Sequence, residues 1–427
     1  MAMKKPLFMF ILLLPVFYTW AQDSVSLDDC YRLALKHYPF DRQQELLDLS
    51  SSYKIQSLNK NYLPQVNVNG SASLQSEVTK FSLSLPAGMP PIQMPELSRD
   101  MYKLTLDVNQ VIYDGGITLR QKQTEEVSRQ IDRKNVESEI LKVKDRIDQL
   151  YFSILLLRAN HTLLDKAKER IQSKLDEVES GVRNGIALQS NADVLKAELI
   201  RTGQQITESE SDETVALEML SEMTGTPITS NMILLLPKIK DPSTAYDDQR
   251  PEFQSMTLQQ NRINTLKRSI TSRFYPKLYG FGQAGIGRPG FNMLSNDLRP
   301  LWIFGAKLSW NLWNWNQNKT DKKSLDAQRD FLGTQKEAFE INLRVANLKD
   351  AAEITKLESL IEQDKNVIAL REKITLSASS QLDNGVITSS DYISRLNEEI
   401  QARLLMETHN IQVVKARLAA LATLGKR

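Results

Sequence analysis

The residues able to do chemistry are few and scattered along the chain. The three histidines, His37, His161 and His409, lie far apart and show no metal-ligand spacing. No Ser-His-Asp set and no close carboxylate pair stands on a pocket scaffold. Gly280, Gly282 and Gly285 have the spacing of a phosphate loop, with Gly287 close behind, but no helix follows them at once, so they read as strand positions. The single cysteine, Cys30, cannot make an intrachain disulfide and reads as a buried thiol on a helix. It follows Leu27-Asp28-Asp29 rather than an apolar run, which speaks against a lipid attached there. Together these features point away from an enzyme, and no metal or cofactor is expected. The information in this chain lies in its patterning.

The chain has 427 residues, 41% of them apolar and 25% charged, the composition of a folded protein. Its first 21 residues read as an export signal: Lys4 and Lys5, an apolar run from Leu7 to Phe17 too short to span a bilayer, and the small Ala21 for cleavage. Removing them takes two of the 54 basic residues and no acid, so the mature chain balances its 52 acids with 52 bases. That balance speaks against a nucleic-acid partner. No later stretch offers 18 consecutive apolar residues, so no transmembrane helix is expected, while a membrane β-barrel stays open.

The longest element is an amphipathic helix over about Thr118–Asn184. Ile140, Val143, Ile147, Leu150, Ile154, Leu157, Leu164, Ile171, Leu175, Val178 and Val182 recur at steps averaging 3.5 residues, with His161 and Lys168 interrupting the series. A 3.5 period keeps one stripe facing neighbouring helices over many turns. His161 on that stripe reads as a polar register-setter rather than a ligand. At 1.5 Å per residue the helix reaches roughly 100 Å, so it needs partners of similar length. Asn184-Gly185 closes it, and a return helix follows over about Ser190–Glu222.

This scheme occurs twice. Tyr62-Leu63-Pro64 matches Phe274-Tyr275-Pro276, Gly70 matches Gly282 and Pro39 matches Pro251, all 212 positions apart. Tyr113-Asp114 matches Trp313-Asn314, Asn184-Gly185 matches Asn384-Gly385 and Gly225 matches Gly425, all 200 apart. The change places a connection about twelve residues longer in the first half, between Gln75 and Lys103, where Pro86, Pro90, Pro91 and Pro95 exclude a central strand. The expected organisation is a first repeat over 22–225 (strand hairpin about 64–113, helical hairpin about 118–224), a connector over 226–250 with Pro237 and Pro242, and a second repeat over 251–427 (strand hairpin about 276–313, helical hairpin about 317–424). A shorter helix, Leu27–Asn61 broken near Pro39 in one half and 252–273 in the other, precedes each strand pair.

The strands alternate. Val66, Val68, Ala72 and Leu74 oppose Asn67, Asn69, Ser71 and Ser73, and Leu104, Leu106 and Val108 oppose Thr105, Asp107 and Asn109. In the fourth strand Trp302, Phe304, Ala306, Leu308, Trp310 and Leu312 share a face. The third, Lys277–Gly287, alternates poorly, and its facing is open. A soluble sheet also wets one face, so a small sandwich on a helical stalk is one reading. Trp302 and Trp310 favour the other: eight residues span about 27 Å, close to the apolar band of an outer-membrane barrel with its aromatic girdles. Trp313 and Trp315 add aromatics beyond. Four strands cannot enclose a lumen, whereas three chains would supply twelve.

A duplicated helix–strand–strand–long helix–Asn-Gly–return helix resembles the TolC-type outer-membrane efflux proteins over about Leu27–Gly425. The motifs that carry it are Tyr62-Leu63-Pro64, Phe274-Tyr275-Pro276, Val111-Ile112-Tyr113-Asp114-Gly115-Gly116 and Asn184-Gly185-Ile186-Ala187-Leu188. The resemblance implies an α plus membrane β-barrel fold: a homotrimer with a 12-stranded barrel in outer-membrane lipid and a 12-helix barrel in the periplasm. It also implies a periplasmic adaptor and an inner-membrane pump as partners. On that reading the tips, Asn184, Gly185, Ile186, Ala187 and Leu188 with Asn384, Gly385, Val386, Ile387 and Thr388, contact the adaptor, or serve only as helix caps with their usual apolar contact. Asp391 falls where the family places a carboxylate in its pore constriction, and is equally an acid of a helix's first turn. Ser394 stands where a second carboxylate is often found and Asn191 is neutral, which departs from the family's pattern. Trp302, Trp310 and Trp313 would form the membrane girdle. The expected function is a passive exit duct for efflux; the alternatives are an exported coiled-coil scaffold with a β interaction module, or the duct of a protein secretion system.

Overall fold

The computed structural model describes residues 24–78, 97–240 and 250–426. The expected export signal, the prolines at 86, 90, 91 and 95, and Pro242 lie outside these residues. In chain order the elements are β1 (Ser24–Val25), α1 (Leu27–His37), α2 (Phe40–Asn59), β2 (Gln65–Leu74), β3 (Asp100–Tyr113), α3 (Ile117–Arg183) and α4 (Gln189–Thr224). There follow β4 (Ile233–Leu234), α5 (Pro251–Ser272), β5 (Lys277–Arg288), β6 (Arg299–Ser309), α6 (Gln317–Asp383) and α7 (Ser389–Thr423). The long helices α3 and α6 have 67 residues each and start and end 200 positions apart. The described residues cluster as two compact units, one within 40–141 and 245–345, the other within 1–39, 142–244 and 346–427.

The first unit is built on one antiparallel sheet in the order β2-β3-β5-β6. Pro64 and Pro276 stand immediately before β2 and β5, the two repeats entering the sheet alike. The junction from β3 into α3 explains why Asp114-Gly115-Gly116 follows the strand. Asp114 accepts hydrogen bonds from the Thr118 amide at 2.7 Å and the Gly116 amide at 2.8 Å, capping a helix start whose amides otherwise lack partners. Its carboxylate also accepts the Tyr62 hydroxyl at 2.9 Å, so the first residue of the Tyr-Leu-Pro motif is tied to the motif that ends the hairpin. Gly115 has φ of 76°, and a Cβ on it would lie 2.6 Å from the Ser272 carbonyl oxygen. In the second repeat the equivalent positions are Trp315 and Asn316, with φ of 54° and 61°, so the same turn is made there by residues with a Cβ to accommodate.

One expectation is corrected here. Trp310 and Leu312 fall past the end of β6, which closes at Ser309. Lys277 pairs with Ser309, and the next ladder position on β5 is Pro276, which has no N–H to offer. The facing of the third strand is now defined: Leu278, Gly280, Gly282, Ala284 and Ile286 pair with Leu308, Ala306, Phe304, Trp302 and Pro300 and share their face. Tyr279 and Phe281 lie on the other.

The second unit is helical. Tyr151, Phe152, Ile147, Ile154 and Ile171 of α3 are buried, and Leu195, Leu220 and Leu396 of the return helices with them, as the 3.5-residue stripe requires. The Tyr151 hydroxyl lies 2.9 Å from the Val25 and 2.7 Å from the Leu235 carbonyl oxygens, holding the parallel pair β1–β4 against α3. Cys30 is fully buried on α1, and burial pushes its thiol up to about 12. His161 of α3 contacts Asp165 at 3.3 Å and Glu210 of α4 at 3.2 Å, a lateral polar tie rather than a metal ligand. Among the described residues no helix is long and apolar enough to cross a membrane.

The unequal turns give a first prediction. Gly115→Ala should destabilise the protein by more than 1 kcal/mol or so, from strain plus the carbonyl clash, whereas Trp315→Gly should relieve about 1 kcal/mol of left-handed strain. Thermal unfolding in detergent reports both, and a Trp315→Gly midpoint at or below the parent's would count against the strain.

Candidate functional site

Two places carry function in this architecture: the faces of the sheet and the tips of the helical hairpins. Register assigns every strand residue to a face. One face carries Val66, Val68 and Leu74 of β2, Tyr102, Leu104, Leu106 and Val108 of β3, the small residues of β5, and Trp302, Phe304 and Leu308 of β6. Only Gln110 near the helix end and the Arg288–Asp100 ion pair at the loop end (2.8 Å) interrupt its apolar character. The large side chains of this face are nevertheless exposed, Val68, Leu74, Trp302 and Phe304 among them. Water does not tolerate so large a contiguous apolar patch on a monomeric protein. The glycines let aromatic rings lie flat on the sheet: a Cβ on Gly282 would come 2.8 Å from Phe304, and one on Gly305 would come 2.7 Å from Phe281 on the opposite face. Trp302 packs on Phe304 at 5.8 Å between ring centroids. Past the strand, Trp310 donates its indole N–H to the Phe274 carbonyl at 3.0 Å, and Trp313 meets Trp315 at 5.8 Å.

The strands have 10, 14, 12 and 11 residues, and a tilted strand of about 9–11 crosses a bilayer. Among the described residues β2 and β6 each have one unpaired edge. A lipid-immersed sheet cannot leave such edges open, because nothing in hydrocarbon satisfies their N–H and C=O groups.

At the tips the Asn-Gly pairs close α3 and α6 identically. Gly185 and Gly385 take φ of 74° and 69°. The Ile186 amide donates to Gly181 O at 2.9 Å and the Val386 amide to Gln381 O at 2.8 Å, the wrap-around bond of a Schellman cap. Ala187 and Ile387 tuck against the buried cluster of Ile171, Leu175, Leu195, Leu382 and Leu396. Ile186 at 81% and Val386 at 71% exposure have no such cover, and Leu188 is exposed as well. Asp391 belongs to a capping box of α7: it accepts the Thr388 amide at 3.0 Å and hydroxyl at 2.7 Å, while its own amide donates back to that hydroxyl at 3.2 Å. These bonds hold its carboxyl below the usual aspartate range. Asn191, its counterpart, accepts the Ser389 amide at 3.2 Å and so caps the neighbouring hairpin's helix.

Behind the tips lies a charge network that sequence reasoning missed. Lys174 of α3, 7% exposed, reaches Asp383 of α6 at 2.9 Å and also pairs with Glu177. Its ammonium sits over the Tyr392 ring, 5.9 Å from the centroid. Arg170 pairs with Glu399 of α7 at 2.9 Å, and Glu399, 2% exposed, also receives Arg403 at 3.1 Å. Burial pushes the Glu399 carboxyl up, but the Arg170 hydrogen bond and charge, with Thr375 and Arg403, outweigh it and hold the group below the usual range. Burial likewise lowers Lys174, and Glu177 and Asp383 more than restore it. Partners 209 and 229 positions apart leave no periodic trace in a sequence. Among the described residues no group of histidine, cysteine or acids is arranged to hold a metal ion.

Residues 34–226 match the family model described as outer membrane efflux protein. The match spans most of the first repeat and a little under half of the chain, and marks a similarity to that family. The second repeat has the same element order, and the whole chain shares the fold of solved outer-membrane channels. The outer membrane protein VceC of Vibrio cholerae is similar at 14% identity and TM-score 0.69, over 93% of this chain and 96% of that one. The CmeC outer membrane channel of Campylobacter jejuni is similar at 15% identity and TM-score 0.68, over 94% and 85%. The open state of the MtrE outer membrane channel of Neisseria gonorrhoeae gives 13% identity and TM-score 0.62, over 94% and 87%. Among curated proteins none matches this chain by sequence.

Removing Arg170 leaves Glu399 buried with one cation in place of two. Arg170→Ala should therefore weaken tip packing by about 1–3 kcal/mol, and Lys174→Ala, which frees Asp383, should act in the same direction. The pH dependence has a defined sign. Glu399 is depressed in the folded state, so its contribution is complete above the ordinary glutamate value and is lost as pH falls through the depressed one. Hydrogen exchange at residues 170–200 and 370–400 should speed up in the variants and at acid pH. Unchanged protection in both would show that the network does not hold the tips.

Proposed function

We propose that this chain is the subunit of a trimeric outer-membrane exit duct, the passive last stage of a tripartite efflux system. The observation that carries the reading is the exposed apolar sheet face with both edges free. In lipid that face is favourably placed, at roughly 25 cal/mol for each Å² removed from water, while the edges demand further strands. Further copies supply them, and three give the twelve strands of a barrel wide enough for a water-filled lumen. The localisation follows: strands in the outer membrane, helices in the periplasm. Trp302, Trp310 and Trp313 act as the aromatic girdle, their indoles suited to the interface between lipid and water.

The tips are the docking site for a periplasmic adaptor, through Ile186, Leu188 and Val386 around the Asn184-Gly185 and Asn384-Gly385 turns, with Ala187, Ile387 and Thr388 holding the turn geometry. An inner-membrane pump supplies the energy, and the chain acts as a conduit rather than a catalyst. Asp391 adds one carboxylate per subunit at the mouth, where three copies around an axis focus potential on passing ions. Separation of the tips, held at rest by the Lys174–Asp383 and Arg170–Glu399 pairs, opens the duct.

Extraction in mild detergent should yield a species of three chain masses, confined to the outer-membrane fraction. A water-soluble monomer or dimer in the periplasm would sink the proposal. At the tips, Ile186→Ser combined with Val386→Ser should weaken adaptor binding by about tenfold or more, as loss of apolar anchors does, while the unfolding midpoint stays put. Undiminished cross-linking of the double variant to its adaptor would move the docking site elsewhere.

A further inference from the structure

The same register that collects the apolar residues on one face collects charge on the other, and the charge is lopsided. On β3 this face carries Lys103 and Asp107, on β5 Lys277, and on β6 Arg299 and Lys307. Arg299 is paired with Asp297 at 2.9 Å. Asp107 is engaged from both sides by Asn69 and by Gln283, the latter at 2.6 Å. Lys103 donates to the Gln283 oxygen at 3.0 Å, and its charge also acts on Asp107. Lys277 and Lys307 have no ion-pair partner among the described residues. The remainder of the face is uncharged: Asn67, Ser71, Ser73, Asn109 and Ser309 are polar, and Phe281, Leu301 and Ile303 are apolar. Three lysines therefore face one acid, and they are spread over the height of the sheet. Lys103 shares a row with Arg299 across Gly287 at the loop end, Lys307 lies opposite Tyr279, and Lys277 begins β5 at the helix end.

We infer that the barrel lumen favours anions, and that multivalent anions such as polyphosphorylated solutes occupy it in preference to cations. The inference rests on the proposed barrel, since only closure with the apolar face outward turns the opposite face into a lumen. Given closure, each lysine recurs in every subunit, so rings of positive charge line a water-filled passage with low-dielectric walls. Such walls focus the field and concentrate counter-ions. Asp107 offsets a single charge, so each subunit keeps an excess of positive charge on this face, and Lys277 and Lys307 can turn toward a passing anion. Phosphate groups suit a lysine ammonium, a compact charge that can follow a mobile ligand.

The test is block of single-channel current in planar bilayers, using full-length Arg170→Ala/Lys174→Ala protein so that the tips do not limit conduction. Inositol hexakisphosphate and hexaamminecobalt(III) are added to each side in turn. The expected result is that the polyanion blocks from the loop side at a concentration about tenfold lower than the polycation, a difference that shrinks at high salt. The Lys103→Gln/Lys307→Gln version, checked to be an intact trimer in detergent, should lose that difference. Equal block by the two ions, stronger block by the polycation, or an undiminished difference in the lysine variant would overturn the anion preference and leave the duct standing. A trimer that carries no current at all would overturn the duct, and the lumen with it.

Discussion

A β-sheet in hydrocarbon must satisfy every backbone N–H and C=O within itself, and among the described residues the larger sheet has four strands. The rest of the molecule follows from that shortfall. Among the described residues four strands pair with one another in the order β2-β3-β5-β6 and leave two edges, which on the proposed assembly other copies complete. The apolar residues of β2, β3, β5 and β6 look like a solubility error in a lone chain and become the natural outer surface once the ring closes. Glycines on β5 and β6 serve the same end, since Phe304 and Phe281 can lie against the sheet only where a neighbour has no Cβ.

The helices face the opposite problem. Their backbones are satisfied internally, and what they lack is lateral cover. The 3.5-residue stripe of α3 finds it in the return helices, and polar pairs such as Arg158–Glu213 and Arg170–Glu399 set which helix lies beside which. Buried ion pairs add little net stability, because desolvation cancels much of their attraction. Their value is in registry: Lys174 and Arg170 make one arrangement of the two hairpins better than its neighbours. A contact of that kind, specific and not strongly stabilising, suits a joint that opens as the proposed duct requires.

Much of this was legible in the sequence for identifiable reasons. Pro64 and Pro276, the two Asn-Gly pairs and the alternating strands are local signals, and the duplication multiplied their weight. The third strand resisted because Leu278, Tyr279 and Phe281 are adjacent apolar residues among glycines, and a pattern of period two cannot emerge from them. Its facing came from neighbours, with Gly282 beside Phe304 and Gln283 bonded to Asp107. The end of β6 was misplaced because the limit is set not by its own residues but by Pro276 across the ladder. The tip network and the two-residue strands β1 and β4 left no trace for the same underlying reason: each depends on a partner some two hundred positions away.

The β1–β4 pair has a consequence for how such a chain comes into being. Synthesis and export run from the N-terminus, yet Ser24 and Val25 find their partners only in Ile233 and Leu234. The earliest folded residues must wait, unpaired, until the entire first repeat has emerged behind them. Tyr151, whose hydroxyl lies within reach of the Val25 and Leu235 carbonyl oxygens, can then join the beginning and the end of that repeat in a single event. The pair thus works as a completion signal: a chain truncated before residue 233 lacks this fastening, although Tyr31 of α1 still reaches Asp148 of α3.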